Sequence, residues 1–170
     1  MEIYDVLIIG GGPGGLSASI YAGRALMKTG LIERMMPGGQ VTKTEWIDNY
    51  PGFEDGIGGF ELGQQMEKQA LRFGVEVITG SVEKIDVAGD IKKVVTSDKT
   101  YETRSIIIAT GADPRMLGIR GEGEFKGRGV SYCGTCDAPF FKEKDVYVVG
   151  GGSASMQESI HLAKFARKVT

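Results

Sequence analysis

Two cysteines separated by two residues, in the run Cys133-Gly134-Thr135-Cys136-Asp137, are the sharpest chemical feature of this 170-residue chain. Thiols at i and i+3 on a turn entering a helix can reach disulfide distance with a small ring. A helix N-terminus favours the thiolate that exchange requires, and Asp137 could give or take a proton as that thiolate forms. Half of a zinc site is one alternative. Zinc would need two more ligands, yet His161 is the only histidine and no other cysteine is present. A pair of buried free thiols is the remaining reading.

The second chemical signal is a glycine fingerprint, Gly10-x-Gly12-x-x-Gly15, with Pro13 and Gly14 between its last two glycines. In a strand–turn–helix setting, Gly10 permits the tight turn, Gly12 lets backbone approach a pyrophosphate, and Gly15 lets helix and strand pack closely. The N–H groups and dipole of the helix start then hold the phosphates. Glu33 lies roughly 20 residues beyond the first glycine, where an acid holds a ribose 2′-hydroxyl. The bland alternative is a βα turn with no ligand, and the motif alone does not separate FAD from NAD. A second cluster, Gly150-x-Gly152-x-x-Ser155, repeats the pattern with serine in third place. Two nucleotide sites in one chain suggest a flavin reduced by a nicotinamide.

The elements that must position these residues are legible as apolar runs. Val6-Leu7-Ile8-Ile9 reads as a strand buried on both faces, and it feeds the first fingerprint. A helix is expected over 16–27 and a second strand over 29–33, completing a βαβ unit. The stretch 35–59 is loop-rich. Leu62, Met66, Ala70 and Phe73 mark one face of a helix over 60–73 that Gly74 stops. A strand over 75–78 follows, then an antiparallel meander over 81–103 and a further buried strand over 106–109. Residues 118–129, glycine-punctuated and charged, read as a crossing between domains. After the cysteines come a strand over 145–149 and a helix running to about residue 168.

Composition narrows the class. Basic and acidic residues number 20 and 22, a net charge of −2, so there is no electrostatic footprint for nucleic acid or an anionic membrane. Apolar residues make up 41% and charged residues 25%, as in an ordinary globular chain. Glycine is the exception at 27 of 170, about twice its usual share of about 7%, and it is clustered between apolar runs. The start, Met1-Glu2-Ile3-Tyr4-Asp5, carries acid where a signal peptide would carry Lys or Arg. No apolar run approaches the roughly 20 residues that span a bilayer, so a cytoplasmic location is expected. Trp46 is expected to pack rather than stack on a cofactor, Met35-Met36 to fill an irregular gap, and His161 to play a surface or packing role.

Taken together, these motifs resemble the N-terminal half of the low-molecular-weight, bacterial-type thioredoxin reductases, over essentially the whole chain. The resemblance is carried by the 10–15 fingerprint, Gly38-Gly39-Gln40, Asn49-Tyr50-Pro51-Gly52, Ala109-Thr110-Gly111, Lys126-Gly127-Arg128-Gly129-Val130-Ser131, Cys133-x-x-Cys136-Asp137 and Gly150-Gly151-Gly152. It implies an α/β fold. A Rossmann-like FAD-binding domain over 1–114, a parallel sheet with an inserted antiparallel meander, would be followed over 115–170 by the start of a second Rossmann-like domain for NADPH.

The resemblance also implies roles. Glu33 and the first fingerprint would take the ADP half of FAD, Gly39, Gln40 and Asn49 would line the flavin, and Thr110-Gly111 would make a second FAD contact. Gly150, Gly152 and Ser155 would serve NADPH. Cys136 would face the flavin, Cys133 would attack the disulfide of thioredoxin, and Asp137 would be the acid/base. A homodimer is implied too. Ser153 departs from the family's usual Asp or Asn. The family's arginine-bearing NADPH segment and its last FAD segment fall beyond residue 170, so a partial reductase is expected. A same-fold flavoprotein with another donor or disulfide partner, or a non-catalytic flavin-binding fragment, are the alternatives.

Overall fold

A computed structural model describes residues 3–170; Met1 and Glu2, on which the signal-peptide expectation partly rests, lie outside the described residues. The chain forms two compact units, Met1–Ala112 and Asp113–Thr170.

The first unit is built around β1 (Ile3–Ile9). It pairs in parallel with β2 (Thr29–Glu33) on one side and with β6 (Thr100–Ile108) on the other. Its apolar run is continuous because both faces are covered. Val6 and Ile8 join Leu16, Ile20, Leu31, Leu62 and Met66 in one core cluster, while Leu7 and Ile9 join Tyr4, Ile32, Ile78, Val94 and Tyr101 in another. The full sheet, in the order β3-β2-β1-β6-β5-β4, adds β3 (Glu76–Thr79), β4 (Val82–Asp86) and β5 (Lys92–Thr96).

Helix α1 spans Pro13–Arg24, three residues earlier at each end than the apolar spacing indicated. Gly12 is its N-cap and Pro13 opens it, the position where a missing N–H costs nothing and a fixed φ is already helical. Helix α2 spans Gly59–Arg72 and buries Leu62, Met66 and Ala70 as expected. Gly74, at φ +77°, ends that stretch.

The expected end of the meander and the separate strand over 106–109 are one nine-residue strand, β6. Its first part pairs antiparallel with β5, and the whole strand runs parallel to β1 from Glu102 to Ile108. The fully buried Thr103 hydroxyl satisfies itself within the sheet on the Ser105 carbonyl at 2.8 Å, so a polar residue does not break the strand. The expected burial of this strand's end is corrected: Ile107 and Ile108 are exposed, while α1 packs on β1, β2 and α2. Met35, Met36 and Trp46 are also exposed rather than gap-filling or packed. The Trp46 indole N–H donates to the Asp48 carboxylate at 3.0 Å.

The second unit holds α3 (Gly134–Asp137), β7 (Asp145–Val146), α4 (Ser153–Leu162) and β8 (Lys168–Val169). The strand expected over 145–149 is only two residues long, and the helix expected to reach 168 stops at Leu162. A two-stranded parallel ladder buries little, so Tyr147 and Val149 stay exposed. After α4 the chain turns so that Arg167 grips Asp145 through two hydrogen bonds of 2.8 Å. The glycine-punctuated segment 118–129, expected as a crossing between domains, belongs wholly to this unit.

Candidate functional site

In the first unit, four separate stretches of sequence meet at the carboxyl end of β1. Gly10, at φ +104°, makes the turn. A Cβ at Gly10 would collide with the Ala109 carbonyl and lie 2.9 Å from the Thr110 Cα, which puts the 109–111 segment directly against the fingerprint. The Gly38 amide donates to the Gly11 carbonyl at 2.7 Å, strapping the 37–39 loop across it. The Glu33 carboxylate, at the end of β2, accepts from the Gly11 amide at 2.7 Å and the Met35 amide at 3.0 Å.

The glycines here do two different jobs. A Cβ at Gly15 would overlap the Gly10 carbonyl oxygen, so glycine is demanded by the fold's own close approach of helix to strand. A Cβ at Gly12 would meet only the Gly39 Cα, at 3.9 Å, and one at Gly14 would meet nothing within 4 Å. Protein packing gives no reason for glycine at those two positions, so they keep open a cradle above the first turn of α1. That turn has no side-chain cap and no acidic residue, leaving its N–H groups available to an anion. The shape and donor set fit a dinucleotide pyrophosphate, with Glu33 beside it.

Other expected residues of this unit stand further apart. The Gln40 side-chain amide donates to the Ala112 carbonyl at 3.3 Å. Asn49 lines a surface cavity of about 540 Å³ together with Asp48, Tyr50, Pro51, Phe53 and Glu54. Thr110 lines another, of about 310 Å³, with Ile9, Val82, Lys84 and Ile85. Gly111 is in the left-handed region at φ +70°.

In the second unit, Cys133 and Cys136 form a disulfide with their Cα atoms 5.3 Å apart. Cys133 is the N-cap of α3, and its Sγ accepts the Cys136 amide at 3.1 Å. Such a donor favours negative charge on that sulfur once the bond is opened. Cys133 is half-buried and Cys136 exposed. Gly134 between them is buried, and a Cβ there would stand 3.1 Å from the Glu158 Cβ and 3.3 Å from the Leu162 Cδ1. The turn therefore rests on α4, and glycine is what allows it. Asp137 closes α3, with its carboxylate 2.5 Å from the Ser131 hydroxyl.

The residue before the first cysteine is anchored as well. Tyr132 donates its hydroxyl to the Glu122 carboxylate at 2.7 Å. Glu122 is buried and also accepts from the Leu117 and Gly118 amides at 2.8 and 2.7 Å. The Tyr132 hydroxyl, then the Leu117 amide, hold the Glu122 carboxyl below its usual value against an opposing effect of burial. The same bond, more than burial, pushes the Tyr132 phenol up to about 12. Sequence reasoning did not single out Glu122, and it named Ser131 only as the end of the 126–131 motif, with no role. Glu122 sits between two glycines and reads as a solvated turn.

The second glycine cluster opens α4. Gly152 is its N-cap without a side-chain cap, and Ser155 turns its hydroxyl onto the Gly152 carbonyl at 2.7 Å. A Cβ at Gly150, whose φ is +150°, would come within 3.2 Å of the Ser155 Cβ. Serine thus stands where the first fingerprint needs glycine, at the cost of a glycine kept at position 150. His161 packs its ring 5.3 Å from that of Phe165. Among the described residues no group of His, Cys, Asp and Glu is arranged to hold a metal ion.

Residues 4–170 match the family described as pyridine nucleotide-disulphide oxidoreductase. The chain is 48% identical over 169 residues to a thioredoxin reductase of Peptoclostridium acidaminophilum, covering 99% of this chain and 54% of that protein. It is 47% identical over 169 residues to one of Bacillus subtilis (strain 168), covering 99% and 53%. The solved thioredoxin reductase of Streptococcus pyogenes MGAS5005 superposes with a TM-score of 0.90 at 48% identity, covering 98% of this chain and 54% of that one. The chain spans about half the length of the curated relatives it matches.

Proposed function

Because the chain belongs to the pyridine nucleotide-disulphide oxidoreductase family, we propose that it is the flavin- and dithiol-bearing part of a thioredoxin-disulfide reductase using FAD and NADPH. The observation that carries this reading is the Cys133–Cys136 disulfide at the start of α3, a helix that Asp137 closes with its carboxylate bonded to Ser131. In support, relatives called thioredoxin reductase match nearly the whole chain.

Glu33, Gly12, Gly14 and the opening turn of α1 would hold the ADP half of FAD, with Gly10 and Gly15 shaping the turn and Pro13 starting the helix. The loops bearing Gly39 and Gln40, Asn49, and Thr110-Gly111 would complete the site. Gly150, Gly152 and Ser155 would begin the NADPH site. When bound, the flavin supplies a carrier that moves an electron pair from the nicotinamide to a disulfide.

The chain's own residues do the exchange. Two electrons and two protons convert the Cys133–Cys136 bond to two thiols. Cys133, favoured as thiolate by the Cys136 amide, attacks one sulfur of the thioredoxin disulfide. A Cys133–thioredoxin bond forms and the other thioredoxin sulfur leaves; Asp137 would take the Cys133 proton as the thiolate forms and return it to that leaving sulfur. Cys136 then attacks the Cys133 sulfur, restoring the internal disulfide and releasing the second thioredoxin thiol. A reducing cytoplasm suits a dithiol that must cycle, and among the described residues no helix is long and apolar enough to cross a membrane. Assembly as a homodimer belongs to the same reading.

The test is spectroscopic and mutational. Cys136→Ser is expected to retain flavin and lose electron transfer to thioredoxin. Cys133→Ser is expected to leave a thiolate at Cys136, visible as a long-wavelength band if flavin lies against it. Full thioredoxin reduction by both variants would remove the dithiol from the reaction.

A further inference from the structure

One polar side chain of the redox turn has no part in the exchange as described. The Ser131 hydroxyl accepts the Cys133 amide at 3.1 Å and lies 2.5 Å from the Asp137 Oδ2 and 3.3 Å from the Cys133 carbonyl. A hydroxyl has one proton to donate, and the shorter bond, to the Asp137 Oδ2, takes it. The result is a relay of fixed geometry in which the Cys133 N–H donates to Ser131 and Ser131 donates to the Asp137 carboxylate. It spans the Cys-x-x-Cys turn, joining Cys133, which bears the attacking sulfur, to Asp137, which moves the proton in the reading above.

We infer that Ser131 is a positioning residue for disulfide exchange. It holds one carboxylate oxygen of Asp137 on the backbone of Cys133, so that the other oxygen meets the departing thiolate from a set place. This rests on the dithiol reading above. Alanine cannot make either bond, whereas threonine keeps the hydroxyl that makes both. A proton donor matters only when the leaving sulfur needs a proton: an alkyl thiolate does, and a nitrophenyl thiolate, being a weak base, does not.

The experiment uses the whole chain, reduced with dithiothreitol, freed of reductant without oxygen, and mixed with either glutathione disulfide or the aromatic dithiobis-nitrobenzoate. Single-turnover rates are measured for the wild type, Ser131→Ala, Ser131→Thr, Asp137→Asn and the Ser131→Ala/Asp137→Asn double variant. Ser131→Ala is expected to slow the alkyl disulfide about tenfold, a modest part of what a positioned acid contributes, and to leave the aromatic one within about twofold. Threonine is expected to restore the rate, and the double variant to be no slower than Asp137→Asn, since residues acting through one another do not add.

Equal slowing with both disulfides would mean a damaged turn and overturn the inference. Additive losses in the double variant would do the same. If Asp137→Asn slows only the alkyl disulfide while Ser131→Ala changes neither, the role of Ser131 fails and the acid/base role of Asp137 stands. If Asp137→Asn itself is without effect, the acid/base reading fails and the inference with it.

Discussion

The Tyr132 hydroxyl donates to the Glu122 carboxylate at 2.7 Å, tying the residue that precedes the first cysteine to the Leu117 and Gly118 amides. This bond, before the others, depresses the Glu122 pKa from its ordinary 4.5. A depressed carboxyl contributes stability that is present above the unfolded value and lost as pH falls through the folded one. Glu122→Gln is therefore expected to lower the thermal midpoint at neutral pH, with the gap to wild type closing as the pH drops below about 4.5. On the alkaline side the sign reverses. Tyr132, raised from 10.0 to about 12, keeps its contribution below the unfolded value and loses it as the pH climbs toward the folded one. Thermal melts across pH decide; a gap independent of pH would assign the loss to packing instead.

Gly14 and Gly15 are neighbours with opposite expectations. Gly15→Ala drives a methyl into the Gly10 carbonyl, and backbone cannot yield cheaply, so a loss of about 1–3 kcal/mol or outright failure to fold is expected. Gly14→Ala meets nothing within 4 Å and replaces a helix breaker with the best helix former, a gain of about 0.5–1 kcal/mol in the flavin-free protein. If the open space belongs to a pyrophosphate, the same substitution weakens flavin binding. Denaturant melts without flavin and a flavin titration separate the two effects. A Gly14→Ala protein that holds flavin as well as wild type would take phosphate out of that cradle.

What the sequence made legible follows its physics. The β1 run, the fingerprint and Glu33 are local signals, periodicity and spacing within one βαβ unit, and the structure brings them together as the spacing implied. The Cys133–Cys136 pairing was readable for the same reason. Misread elements depend on partners distant in sequence. One strand, β6, looked like two because Thr103 and Ser105 interrupt an apolar pattern, yet the pairing that runs unbroken past both comes from β1, about a hundred residues earlier, while β5 pairs only its first part. The 145–149 run has the composition of a buried strand, but its partners are the residues of β8 and Thr170, about twenty positions on, where the Val148 amide donates to the Thr170 carbonyl at 2.7 Å. Glu122 was invisible because its burial is created by backbone amides folding back on it, which no residue type announces.

Glu33 offers a direct probe of the nucleotide site. Its carboxylate already takes the Gly11 amide at 2.7 Å and holds the loop that would face a ribose. Hydrogen bonds to a charged acceptor contribute about 1.5–3 kcal/mol. Glu33→Ala, which removes both the loop contact and the acceptor, is expected to weaken flavin binding about 10- to 100-fold. Glu33→Gln, which keeps a neutral acceptor for Gly11, should fall between the two. Flavin retained through gel filtration and a fluorescence titration give the ranking. Equal affinity in all three proteins would dissociate Glu33 from the nucleotide.

Leu26 is a strained cap whose repair can be measured. After α1 the Met27 amide bonds the Ala22 carbonyl at 3.1 Å and the Leu26 amide bonds the Gly23 carbonyl at 2.9 Å, the crossed pair of a Schellman ending, which places Leu26 where glycine is favoured. Its φ is +59°, and the side chain is 94% exposed. The left-handed conformation costs a side-chain-bearing residue roughly 1–2 kcal/mol, and no burial offsets it. Part of the gain on substitution is returned through the greater freedom of glycine in the unfolded chain. Leu26→Gly is thus expected to stabilise the protein by about 0.5–1 kcal/mol. Leu26→Ala separates strain from surface hydrophobicity, because it removes the apolar side chain and keeps the Cβ that causes the strain. A gain from glycine with none from alanine locates the cost in the backbone; equal gains from both would place it in the exposed leucine.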